Sequence, residues 1–256
     1  MKWVRRSVLN ADVFRGTWLN MGSAISAEVA GIAGYDWVLI DLEHGSGDSR
    51  DLYYQLLALE RSRTGAIVRV PTIDSRMFTE VLDLGPAGLM IPNVSDSEMA
   101  NQLVQYARTR PKGMRGAATS TRASGYGSTY RQYIEECNDN LLLVAQIESV
   151  EGLANAGSIA SVDGIDVLFV GPTDLSISLD TKDDVESQVF RAALVNIAQA
   201  AICNGKVAGA LVRNIQELPA YLSLGYTFIA VGSDRGMIYR GMEDTLNKFD
   251  SIKVRC

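Results

Sequence analysis

The sequence predicts one α/β domain, a TIM (β/α)8 barrel, and two observations lead there. The chain has 256 residues, close to the ~250 typical of that fold. Eight strand-like apolar runs recur along it, with helical patterns between most pairs. Alternating strand and helix implies βαβ units and a parallel sheet.

The runs fall at residues 16–21, 37–43, 66–70, 88–93, 141–148, 167–170, 207–212 and 228–231. Most are nearly continuous in apolar residues, as strands covered on both faces should be. Helices are expected at 26–33, 49–61, 74–84 and 95–108, each opening with or near a Ser or Asp suited to cap it. A longer helix is expected at 183–203, with Val185, Val189, Ala192, Ala193, Ile197 and Ala200 at helical spacing. Helices at 215–224 and 235–249 complete the pattern. Residues 109–140 read as a long polar loop segment rich in Gly, Arg, Ser, Thr and Tyr. A loop of that length inside a domain is usually functional or mobile.

A net charge of −6 argues against a nucleic-acid partner, which would need a basic face. Cys137, Cys203 and Cys256 are odd in number, far apart and in no CxxC arrangement, so a reducing, cytoplasmic setting is expected. No apolar run approaches the ~20 residues of a membrane span. Asp12 and Arg15 interrupt the only segment placed to be the core of a signal peptide.

In this fold the C-terminal strand ends form the active-site face, and most of the predicted strands end in polar residues. His44 is the only histidine, in Asp41-Leu42-Glu43-His44-Gly45. An imidazole suits proton transfer near neutral pH, although a lone histidine is often only a hydrogen-bonded turn residue. Glu148 ends a very apolar run, where an unpartnered carboxylate is costly. Gln146 shares its face by the two-residue period. Asp174 follows the sixth run in Gly171-Pro172-Thr173-Asp174-Leu175-Ser176. Two carboxylates from adjacent strand ends suit a hard divalent ion such as Mg²⁺ or Mn²⁺. The plainer alternative pairs Glu148 with an arginine and makes Asp174 a helix cap. With one histidine, a multi-histidine zinc site is excluded. Arg69, inside an apolar strand, needs a buried partner, Asp41 or Asp83, or an anionic ligand. No GxGxxG, Walker A or GxSxG motif is present, and no lysine lies in a core strand for Schiff-base chemistry.

Several segments together resemble the HpcH/HpaI aldolase family of the phosphoenolpyruvate/pyruvate barrel superfamily. They are Gly16-Thr17-Trp18, the stretch 34–45, Val68-Arg69-Val70-Pro71, Leu82-Asp83-Leu84-Gly85 and Gly88-Leu89-Met90-Ile91-Pro92. Gly113-Met114-Arg115-Gly116, Gln146-Ile147-Glu148 and the stretch 171–176 continue the series, so that the likeness spans roughly residues 14 to 235.

The resemblance implies a divalent metal ion (Mg²⁺, Mn²⁺ or Co²⁺) held by Glu148 and Asp174 and chelated by a small-molecule 2-oxo acid. It implies His44 as acid/base oriented by Asp41, Arg69 stabilising the enolate, and Gln146, Thr173 and Leu211 lining the pyruvate side. Trp18, with residues of a neighbouring subunit, would shape the aldehyde side of a homo-oligomer, commonly a hexamer. The implied activity is cleavage of 4-hydroxy-2-oxo acids to pyruvate and an aldehyde. Oxaloacetate decarboxylation, CoA-thioester cleavage and a non-catalytic metabolite-binding barrel are the alternatives. Pro86 stands where the family has a small residue, and Asp180 where it has glycine.

Overall fold

The computed structural model describes residues 2–182, 184 and 187–252. Eight parallel strands close a barrel in sequence order, the eighth pairing with the first. A short helix α1 (Arg5–Asn10) precedes β1 (Phe14–Leu19), followed by α2 (Ala24–Ala33), β2 (Trp37–Asp41), α3 (Ser49–Ala58) and β3 (Gly65–Arg69). Next come α4 (Ser75–Leu84), β4 (Gly88–Ile91), α5 (Ser97–Ala107), α6 (Tyr130–Asn140) and β5 (Leu142–Ile147). Two one-turn helices, α7 (Val150–Ala154) and α8 (Ala156–Ala160), lead to β6 (Val167–Val170) and α9 (Pro172–Ser178). The chain closes with α10 (Gln188–Cys203), β7 (Val207–Val212), α11 (Leu218–Ser223), β8 (Tyr226–Ser233) and α12 (Asp234–Ser251).

All eight predicted strands are present. The two-residue side-chain period divides their residues between two cores. One set, including Trp37, Leu39, Ile67, Val144, Phe169 and Phe228, fills the barrel interior. The other, including Val38, Ile40, Val68, Leu143 and Leu168, packs under the surrounding helices. Inside, Trp37 stacks on Phe228 with ring centroids 3.9 Å apart, and Phe169 meets both edge-on. The interior is therefore a plug of aromatic rings, and chemistry is confined to the strand ends above it.

Most predicted helix starts hold within two residues, and their caps are the predicted residue types. Asp48 forms a capping box with Asp51 on α3, Asp74 caps α4 and Asp96 caps α5. The helix expected from 183 is described from Gln188, capped by Ser187; residues 183, 185 and 186, like Cys256, lie outside the described residues.

The stretch 109–140 is a correction: it is not one loop. Its last eleven residues form α6, and residues 122–127 form a helical turn. Buried Arg115 donates to the Tyr133 hydroxyl at 2.9 Å. Arg108 donates to the Asn138 and Leu141 carbonyls, and the Thr109 amide to Asn138 Oδ1 at 2.8 Å. These bonds fasten the segment to the barrel wall. Cys137 and Cys203 are free thiols, and no helix among the described residues is long and apolar enough to cross a membrane.

Candidate active site

Asp41 and Arg69 face each other in register at the ends of β2 and β3. The Arg69 guanidinium is only 4% exposed. It donates from Nε to Asp41 Oδ1 at 2.9 Å and from Nη2 to Asp41 Oδ2 at 2.8 Å, a bidentate fork of the strong, orientation-fixing kind. Its Nη1 lies 2.9 Å from Glu43 Oε2. Below, the Trp18 ring supports it with the guanidinium carbon 4.4 Å from the ring centroid. Trp18 is thus buried beneath Arg69. Asp83, the other partner considered for Arg69, instead lies 3.6 Å from Arg115.

His44 stands on the loop after β2 with its side chain 68% exposed. Asp41 Oδ1 accepts from the backbone amides of Glu43 at 3.1 Å and His44 at 3.3 Å. Asp41 therefore fixes the His44 backbone, while its carboxylate oxygens hold Arg69. The carboxylate beside the imidazole is Glu43, whose Oε1 lies 3.9 Å from His44 Nε2. Burial pushes the Glu43 carboxyl up, and the charges of Arg69 and His44 oppose that shift.

Across the barrel mouth, Glu148 follows β5 and is 9% exposed. Its Oε1 accepts from the Asn93 amide at 2.9 Å and its Oε2 from Gln146 Nε2 at 2.5 Å. Burial, then the neighbouring charge of Asp174, raises its pKa from the ordinary 4.5 to about 7. Asp174 lies in the first turn of α9, and Thr173 Oγ1 beside it accepts from Arg213 Nη2 at 3.2 Å. A Cβ on Gly171 would meet Glu148 Oε2 at 2.2 Å and Gln146 Nε2 at 2.5 Å, so only glycine leaves room for this pair. Leu211 on β7 is half-buried against the inner core.

The donors fit a hard divalent cation. The charge of Asp174 works against an ionised Glu148 when no cation lies between them, and the buried Gln146 Oε1 has no hydrogen-bond partner among the described residues. No group of three or more His, Cys, Asp or Glu metal donors occurs among the described residues. Waters and substrate oxygens would complete such a shell.

The HpcH/HpaI aldolase/citrate lyase family model matches residues 15–240. The chain belongs to this family. The 5-keto-4-deoxy-D-glucarate aldolase of Enterobacter sp. (strain 638) is 37% identical over 234 residues, 91% of each chain. An HpcH/HpaI aldolase/citrate lyase family protein from Burkholderia cenocepacia J2315 superposes with a TM-score of 0.92. It is 31% identical, and the match covers 97% of this chain and 99% of that one. The citrate synthase SbnG superposes with a TM-score of 0.88 at 28% identity, covering 98% of each chain. This HpcH/HpaI chain is a carbon–carbon lyase.

Within the family frame, Asp180 adopts φ +53°, a left-handed conformation that glycine takes without strain and aspartate tolerates. The backbone there is of the kind glycine favours, with a carboxylate added. Sequence reading missed three contributors to the site. Glu43 shares a strand face with Asp41 by the two-residue period, a signal that was available. Asn20, whose Nδ2 donates to Asp41 Oδ2 at 2.6 Å, and Arg213 lie past strand ends without any pattern to mark them.

Proposed function

We propose that this chain is a class II, divalent-metal-dependent aldolase that cleaves 4-hydroxy-2-oxo acids to pyruvate and an aldehyde. The observation carrying the reading is the buried Glu148 carboxylate, held by the Asn93 amide and Gln146 Nε2 and close enough to Asp174, Arg69 and Glu43 to feel their charges. A cation held by Glu148 and Asp174 would polarise the substrate's 2-oxo group as a Lewis acid. Mg²⁺, Mn²⁺ and Co²⁺ all suit those oxygen donors.

The side chains divide the remaining work. Arg69, held rigid by Asp41 and Trp18, presents fixed positive charge where negative charge develops on the 2-oxo oxygen. His44 accepts the proton of the 4-hydroxyl, directly or through water. The C3–C4 bond then breaks, its electron pair passing into the enolate of pyruvate as the aldehyde departs. Returning the proton to C3 gives pyruvate and restores the imidazole. Gln146, Thr173 and Leu211 line the pyruvate side, and Trp18, buried beneath Arg69, supports the guanidinium instead of lining the aldehyde side.

The relatives named 5-keto-4-deoxy-D-glucarate aldolase favour a polyhydroxylated diacid as substrate. Comparing kcat/KM for 5-keto-4-deoxy-D-glucarate, 4-hydroxy-2-oxoheptanedioate and monoacid 2-keto-3-deoxy sugar acids tests this. Preference for the first supports the assignment; no turnover of any of the donors removes the aldol reading.

A cytoplasmic homo-oligomer, a hexamer by family resemblance, belongs to the same proposal. In support, α12 exposes Ile238, Met242, Leu246 and Phe249 along one stripe, and α2 exposes Ile25, Val29 and Ile32. Contiguous apolar faces of this kind mark contact surfaces.

A further inference from the structure

The loop that carries His44 is exposed, yet it is tied from behind by residues outside the reacting groups. Asn20, just past β1, is the knot. Its amide donates to Asp234 Oδ1 at 2.8 Å, and its Nδ2 donates to Asp41. Its carbonyl accepts from the Ser46 amide at 2.9 Å and from Arg235 Nη2 at 2.9 Å. The same Arg235 nitrogen donates to Ser46 Oγ at 3.1 Å. Asp234 also accepts from the Met21 amide at 3.3 Å. The root of α12 therefore grips the loop after β1 with one side chain and the loop after β2 with the next.

The two loops touch backbone to backbone. A Cβ on Gly22 would meet Gly47 Cα at 2.6 Å, and one on Gly45 would meet the Asn20 carbonyl oxygen at 3.4 Å. Neither glycine brings a side chain to lock the contact. Asp41 holds the front of the loop through the His44 amide. Arg235 is the one side chain among the described residues that bonds both Asn20 and Ser46, two positions beyond His44.

We propose that Arg235 is a positioning residue: it straps the loops after β1 and β2 together at Ser46 and so holds the His44 imidazole at the barrel mouth. Asp234 and Asn20 form the anchor of this strap, which runs from α12 to Asp41. The geometry stands by itself; its kinetic consequence rests on the reading of His44 as the proton-transfer group.

Because His44 is the only imidazole in the chain, histidine-labelled protein gives one ring spectrum. That spectrum is recorded for the native enzyme, Arg235→Ala, Arg235→Lys and Ser46→Ala, beside kcat and KM. The native ring gives one sharp signal set. Arg235→Ala broadens or splits it and lowers kcat at least tenfold while KM stays within about twofold. Arg235→Lys, which keeps a donor in reach of Ser46, recovers most of both. Ser46→Ala, which leaves the Asn20 anchor whole, shows the same broadening to a lesser degree and serves if Arg235→Ala does not fold. A ring spectrum in Arg235→Ala or Ser46→Ala that matches the native one overturns the proposal. If His44→Ala retains full activity, the proton-transfer reading fails instead, and the ring spectrum still decides the strap.

Discussion

Asp41 accepts five hydrogen bonds, from Asn20, from the amides of Glu43 and His44, and from two nitrogens of Arg69. Removing its main partner strands a buried anion, so Arg69→Ala is expected to destabilise the fold by about 3–5 kcal/mol. Arg69→Lys keeps the charge but loses the fork, and should retain more stability than activity. Denaturant unfolding beside steady-state rates checks both. Glu148 gives a second prediction at this scale. Its folded pKa is raised from 4.5 to about 7, so the folded state binds the proton more tightly. That contribution is fully present below about pH 4.5 and is lost as pH rises through about 7. The metal-free protein should lose about 3 kcal/mol across that window, and Glu148→Gln should flatten the loss. Thermal unfolding in EDTA at several pH values measures it, and added Mg²⁺ should restore stability most at the alkaline end.

At the scale of the element, the glycine before α9 sets the spacing of the carboxylate site. Gly171→Ala drives a methyl onto Glu148 and Gln146. It should weaken divalent binding at least tenfold by calorimetry while circular dichroism stays native. The elements also show what the sequence makes readable. Strands were legible because parallel strands buried on both faces read as continuous apolar runs. Their ends were set one or two residues off, because Glu43, Asn93 and Glu148 lie just past the hydrogen-bonded ladder while sharing its face. Helix α6 was missed for a physical reason: among its residues only Tyr133 and Cys137 are buried, so no apolar stripe announces it. The one-turn α7 and α8 are too short to show a period. The site's charged residues were legible one by one, as polar groups at apolar strand ends. Their pairing was not: which of Asp41, Glu43 and Asp83 meets Arg69 depends on register, which the sequence leaves open.

At the scale of the whole molecule, every residue of α12 from 237 to 251 is exposed, although its root is bonded to the loops after β1 and β2. Helices in proteins draw most of their stability from packing an apolar face, so the exposed apolar stripe of α12 calls for a partner surface. Met242→Glu with Leu246→Glu should shift the protein to smaller species by light scattering and lower its melting temperature; an unchanged mass would detach α12 from assembly. The barrel itself places a carboxylate pair, a locked guanidinium and one histidine around a single mouth, and the central claim is that these act together on a 2-oxo acid. The most direct test is pyruvate release from 5-keto-4-deoxy-D-glucarate, with and without Mg²⁺ or Mn²⁺. We expect release that EDTA abolishes and added metal restores, at least 100-fold lower in Glu148→Gln and about 10²–10⁴-fold lower in His44→Ala. Full release in EDTA, or from the Glu148→Gln enzyme, would contradict the account.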